Sequence, residues 1–241
     1  MIDYDTMEVI ADVGYDANVK TACIGGENGQ YLVTVSGDNE ITLYDVKAKE
    51  EVKKISNEKL IIYLGYGLSN DIDMTSDGKK VVFHCVDGYA RVYDLETDEI
   101  TDEIIFNGQM KAFLQFSPDD NYLLTQGDDL YFRVYDLENH KMKHLADKQY
   151  YEIRDVRYDG DKVELLPLSG MYILNLDTWE LVCDITGGRA VNFEKDMVLV
   201  GDYGTLYSFP YFDRDELISL ADEQLHGQSL SDEKRLQLNM D

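Results

Sequence analysis

Along most of this chain, short runs of alternating apolar and polar residues are separated by turn residues, and the runs come in groups of four. The group at 111–145 shows the order most plainly. Lys111-Ala112-Phe113-Leu114-Gln115-Phe116 reads as a strand, a, followed by a turn at Ser117-Pro118-Asp119-Asp120. Residues 121–125 form strand b, Gly127-Asp128-Asp129 a second turn, and residues 130–135 strand c. A fourth, polar run at 140–145 is strand d; its charge suits an outer sheet edge, where it discourages edge-to-edge pairing. Elsewhere Ser76-Asp77-Gly78 and Asp159-Gly160 carry side chains that hydrogen-bond turn backbone, with Gly for positive φ. Asp87-Gly88 is a hairpin signal between b and c. Gly25-Gly26-Glu27-Asn28-Gly29 has no Lys and leads into a strand, so it reads as an a–b turn and not as a phosphate cradle.

The group repeats. Strand c ends in Tyr4-Asp5, Tyr44-Asp45, Tyr93-Asp94, Tyr135-Asp136 and a degenerate Leu176-Asp177, in steps of 40, 49, 42 and 41 residues. A period of about 40–45 is that of propeller blades. Strands c and d of one unit open the chain at 2–4 and 7–13, four units follow, and a last set has a at 189–193, b at 197–201 and c at 206–209. Two readings stay open: strand d at 7–13 pairs with 189–209 and closes a ring of about five blades, or the chain is a piece of a longer propeller.

Phe116-Ser117-Pro118-Asp119-Asp120-Asn121-Tyr122-Leu123-Leu124 resembles the WD-repeat signature around strands a and b, and the Tyr-Asp pairs stand where that family has Trp-Asp. The resemblance covers about residues 4–209. It implies an all-β, WD-repeat-like β-propeller over 1–211, with blades of four antiparallel strands. The family's Gly-His before strand a is absent, and Trp is replaced by Tyr, Leu176 or Phe209. Its buried His–Asp–Trp network is therefore missing, and apolar packing is expected to hold the blades.

After Phe212 the period becomes helical, giving a C-terminal tail over 212–241 that packs on the propeller. Asp213 and Glu216 form a capping box, Leu217, Ala221 and Leu225 an apolar stripe, and Gly227 a stop. A second short helix starts at Ser231. Leu217-Ile218-Ser219-Leu220-Ala221, Leu225 and Ser229-Leu230-Ser231-Asp232-Glu233-Lys234-Arg235 resemble the helical end of bacterial multidomain WD-repeat proteins with STAND-type NTPase and other upstream modules, which implies the sensor or scaffold end of a larger protein.

The 241 residues are 44% apolar, enough for a sizeable core, and 18 Tyr and 18 Gly against 3 Pro suit short strands and tight turns. The formal charge of −26 disfavours nucleic acid and anionic membrane as partners and is compatible with a basic protein segment. Cys23, Cys85 and Cys183 are odd in number and widely spaced, which predicts reduced thiols in a cytoplasmic protein. Met1-Ile2-Asp3-Tyr4-Asp5 has no signal-peptide character, and no apolar run approaches the ~20 residues of a membrane span.

Little points to chemistry. His140 and His144, four apart on a predicted strand, are too far apart for a metal pair, and His84 reads as a satisfied core residue. No cofactor, metal or catalytic residue is expected, and the reading is a non-enzymatic interaction or sensor module. The alternative is a glycan-processing five-bladed propeller, for which Asp71, Asp73 and Asp155 would have to converge on the channel. Resembling propellers are gripped on the face of the d–a and b–c loops. Here that face would present Tyr15, Tyr63, Tyr66, Met110, Tyr150, Tyr151, Arg189 and Tyr203, with Asp38, Asn39, Asp87, Asp128 and Asp129 from the b–c turns. The step of 49 places an apolar, Tyr-bearing insertion near residues 60–67 on that face, either as a binding loop or as a plug for the channel.

Overall fold

A computed structural model describes residues 19–63, 71–107, 113–159, 162–167, 170–185, 190–194, 197–202, 205–210 and 219–220. It divides into two units, Met1–Asp184 and Ile185–Asp241. The first holds four antiparallel sheets, each a meander of four strands in chain order. They are β1 Val19–Gly25, β2 Tyr31–Ser36, β3 Ile41–Asp45 and β4 Glu50–Ile55, then β5 Ile72–Met74, β6 Lys80–His84, β7 Tyr89–Asp94 and β8 Glu99–Ile105. The third sheet is β9 Phe113–Phe116, β10 Tyr122–Gln126, β11 Tyr131–Asp136 and β12 Lys141–Gln149; the fourth is β13 Ile153–Asp159, β14 Lys162–Pro167, β15 Met171–Asn175 and β16 Leu181–Ile185. The second unit has a three-stranded sheet of β17 Ala190–Glu194, β18 Met197–Asp202 and β19 Thr205–Pro210. The expected strands at 2–4 and 7–13 lie outside the described residues, as does the tail apart from Ser219 and Leu220, which are helical.

Within the first unit the initial strands are neighbours in chain order: β1 beside β5, β5 beside β9, and β9 beside β13. The core is accordingly three slabs, each between consecutive sheets. Val33, Val35 and Leu43 of the first sheet meet Met74, Val81 and Phe83 of the second. Val82, Val92 and Phe106 meet Leu114, Phe116 and Leu123. Leu124, Phe132 and Val134 meet Val163, Leu165 and Trp179. This explains why runs such as Val81-Val82-Phe83 are continuously apolar: adjacent residues point to opposite faces and both faces are buried. Stacked four-stranded meanders of this kind are consistent with the blades of a β-propeller.

The recurring Asp at the end of strand c has a local cause. Asp45 Oδ1 accepts the Ala48 N–H at 2.7 Å, Asp94 Oδ1 those of Glu96 and Thr97 at 2.9 Å, and Asp136 Oδ1 that of Asn139 at 2.8 Å. Each carboxylate thus closes the c–d turn as an Asx turn. Each turn then ends on a left-handed residue: Lys49, Asp98, His140 and, in the fourth sheet, Trp179. That last position corrects the repeat. The residue holding the fourth turn is Asn175, whose Oδ1 accepts the N–H groups of Asp177 and Thr178 at 3.0 and 2.9 Å. Leu176-Asp177 sits two residues beyond the Tyr-Asp slot; the pair in the slot is Leu174-Asn175.

The seams are not purely apolar, contrary to the expectation from the missing His–Asp–Trp network. Asp120 Oδ2 accepts from Ser76 Oγ at 2.6 Å across the second and third sheets. Asp102, buried on β8, accepts from His140 Nδ1 at 2.6 Å and Tyr135 O–H at 3.3 Å on the third. Gln126 Oε1 accepts the Ile153 N–H at 2.8 Å, joining the third sheet to the fourth.

The tightest approach is between the a–b turns of the first two sheets, where Gly26 N–H donates to Thr75 C=O at 3.3 Å. Gly78 has φ +72°, and a Cβ there would lie 2.7 Å from the Tyr31 ring and 2.8 Å from Gly26 Cα. Gly78→Ala is therefore expected to destabilise the protein by about 3 kcal/mol, combining left-handed strain with overpacking, read as a shift in urea unfolding.

Candidate partner-binding site

The loop end of the second sheet is organised around His84. Residues 61–63 continue the line of β5 along the end of β6: Ile62 bridges Cys85, Tyr63 N–H donates to His84 C=O at 2.8 Å, and His84 N–H donates to Asp71 C=O at 2.8 Å. The first strand of this sheet is thus interrupted: Tyr63 and Asp71 both bond His84, and residues 64–70 between them lie outside the described residues. The expected insertion accounts for the step of 49. The fully buried His84 imidazole holds both ends: its Nδ1 lies 3.0 Å from Asp71 Oδ1, and its ring stacks between Tyr63 and Phe106, at 4.9 and 5.3 Å. Asn39, in the b–c turn of the first sheet, grips the same segment, donating to Leu60 C=O and accepting from Ile62 N–H, both at 2.8 Å.

This clasp leaves apolar side chains in solvent. Ile61, Val86 and Ile105 are 53%, 50% and 60% exposed. Ile61 and Val86 are neighbours, Val86 N–H donating to Ile61 C=O at 2.9 Å, whereas Ile105 lies two strands away on β8, paired with Tyr89. The b–c turns are stiffened by a repeated device that periodicity did not reveal. Asp87 takes both terminal nitrogens of the buried Arg91 at 2.9 and 2.6 Å, and Asp129 grips Arg133 in the same way. The Arg91 guanidinium holds the Asp87 carboxyl below its ordinary range, so it stays charged at neutral pH. The signal was in the sequence, as Arg four residues after each turn Asp.

Of the aromatic residues expected on this face, Tyr151 is 61% exposed, while Tyr150 is buried with its ring 4.5 Å from that of Tyr172. Tyr150 is a core residue, and Tyr63 is half-buried against His84. Tyr15, Tyr66, Met110, Arg189 and Tyr203 lie outside the described residues.

The other candidate chemistry lies along the initial strands. A cavity of about 750 Å³ runs over β1, β5 and β9 to Asp155, with Glu27, Asp73 and Asp120 also in its wall. Asp73 and Asp155 share it as the enzymatic alternative requires; Asp71 does not, being turned to His84. Asp73 Oδ2 accepts the Phe116 N–H at 2.7 Å, and burial pushes its carboxyl up to about 6. Burial also raises the Cys23 thiol, beside Asp73, and pushes Cys85 up to about 11, so neither is an activated nucleophile. His140 ends a turn and bonds Asp102, whereas His144 lies on β12; no group of metal-ligand residues occurs among the described residues. Comparison with models of known protein families finds no match, and comparison with curated protein sequences finds none either.

His84→Ala is expected to cost about 3 kcal/mol in denaturant unfolding, because it opens a void and removes a partner of a buried carboxyl group. Asp71→Asn, which keeps an acceptor, is expected to cost less.

Proposed function

We propose that this chain is a non-catalytic interaction or sensor module of the WD-repeat type that binds a basic protein partner through the loop end of its sheets. The carrying observation is the exposed apolar pair Ile61 and Val86 at this loop end, on a chain of charge −26. Apolar side chains set in a stiff, hydrogen-bonded framework lose little entropy on being covered, and a negative surface draws in cationic partners. The same reading takes the full ring as five blades. Among the described residues the sheet β17–β19 has three strands where the others have four; on this reading residues 7–13 supply the fourth and the tail 212–241 packs on the ring. It also takes the chain as the propeller end of a bacterial multidomain protein working in the cytoplasm.

One observation favours the glycan-processing alternative: a carboxyl near 6 in a shared cavity with a second carboxylate is what acid-assisted hydrolysis uses. Against it, the Asp73 carboxylate already holds a backbone N–H of the next sheet.

A labelled peptide library of basic, apolar-bearing sequences tests the binding reading. The peptides that bind are expected to weaken at least tenfold against Ile61→Asp/Val86→Asp, with the variant's unfolding midpoint unchanged, and to weaken with added salt. Equal binding to the variant would remove the loop end as the site. For the ring, deletion of residues 1–13 is expected to lower the unfolding midpoint sharply; an unchanged midpoint argues against closure by that strand.

A further inference from the structure

The register of the sheets places four side chains on one equivalent rung of the initial strands. Cys23 pairs with Val33, Asp73 with Val82, Gln115 with Leu124 and Arg157 with Glu164, each partner being the third residue of its strand. On this rung two consecutive seams are each crossed by a side-chain-to-backbone hydrogen bond, of opposite polarity. Gln115 Nε2 donates to Val156 C=O at 3.5 Å, from the third sheet to the fourth. Asp73 Oδ2 accepts the Phe116 N–H at 2.7 Å, from the second sheet to the third. One link is an amide and cannot titrate; the other is a carboxyl. Among the described residues, the surroundings of Asp73 offer it no cation. Cys23 faces it from β1, Asp120 from the turn after β9, and Tyr158 from β13, while Glu27 and Asp155 share the cavity wall, which contains no Lys, Arg or His.

We infer that the seam between the second and third sheets is a proton-responsive joint, in which Asp73 takes up a proton in mild acid and the joint is more stable with that proton than without it. Burial in an acidic cavity opposes the charged form, and a neutral carboxyl still accepts the Phe116 N–H through its carbonyl oxygen. The carboxyl is raised in the folded state from 3.8 to about 6. The proton is therefore bound more tightly folded than unfolded. The stabilisation is fully present below about 4 and is lost as pH rises from there through about 6. Two units correspond to about a hundredfold in the folding equilibrium constant. Other carboxyls act in the opposite sense: Asp45, Asp94 and Asp136 are held below their ordinary range by turn N–H groups, so their contribution falls on acidification. The joint is consequently read as a difference between variants and not from the slope of the wild-type curve.

The test is urea unfolding of the full chain between pH 4.5 and 8, for wild type and Asp73→Asn. The variant mimics the amide link of the next seam. Its stability relative to wild type is expected to rise with pH, by up to about a hundredfold in equilibrium constant, and to level off above about 7. A pH-independent difference would overturn the joint. Carbon-13 NMR of the Asp carboxyls in the wild type, compared with Asp73→Asn for assignment, gives a second reading. Should the variant not fold, selective protonation-linked broadening of the Phe116 amide in wild type replaces it. A midpoint near 6 supports the inference, and a midpoint near 4 ends it.

Discussion

A four-stranded meander with apolar residues on both faces cannot be stable alone, and everything else in this chain follows from that. The second and third sheets of the first unit each bury one face against the sheet before and the other against the sheet after. There is no single core; there are slabs, and each slab needs its two walls at the right spacing. Spacing is set where backbones approach closely, at Gly26 and Gly78, and where a polar atom of one sheet has its partner on the next. Unsatisfied polar groups in such a seam would cost far more than satisfied ones contribute, so these links fix register more than they add stability. The joint at Asp73 is one of them, distinguished by a carboxyl that burial pushes up to about 6.

Most of this was legible in the chain. The two-residue alternation gave the strands, and Asp-Gly and Ser-Asp pairs gave the turns. The period was read from a dipeptide, and there the reading slipped. The turn needs a side-chain acceptor, and Asn serves as well as Asp, so the fourth unit keeps the chemistry at Asn175 while the nearby Asp177 imitates the pattern. Trp179 also escaped notice. It is buried against Tyr122 and Phe132 of the preceding sheet, at ring separations of 5.8 and 6.5 Å, a contact between residues more than forty positions apart. No local pattern encodes such a pair.

The candidate site was half legible, for a related reason. Length alone betrayed the insertion after β4, because a step of 49 among steps near 41 must be absorbed somewhere. What the residues do there depended on neighbours. Tyr150 and Tyr151 look alike in sequence, yet one is packed on Tyr172 and the other stands in solvent. The exposed pair Ile61 and Val86 comes from two separate runs brought together by a backbone hydrogen bond. The Asp–Arg clamps of the b–c turns hold this end stiff at two successive sheets.

The residues that flank the segment 64–70 are pinned together, since His84 pairs through its C=O with Tyr63 and through its N–H with Asp71. A loop whose ends are pinned together is nearly independent of the scaffold that carries it: closing it costs an entropy that grows only slowly with length. The sheets would scarcely register a longer, shorter or wholly different sequence between those two points. That makes residues 64–70 a natural place for recognition to diverge while the fold stays fixed, and a practical place to graft a foreign binding loop.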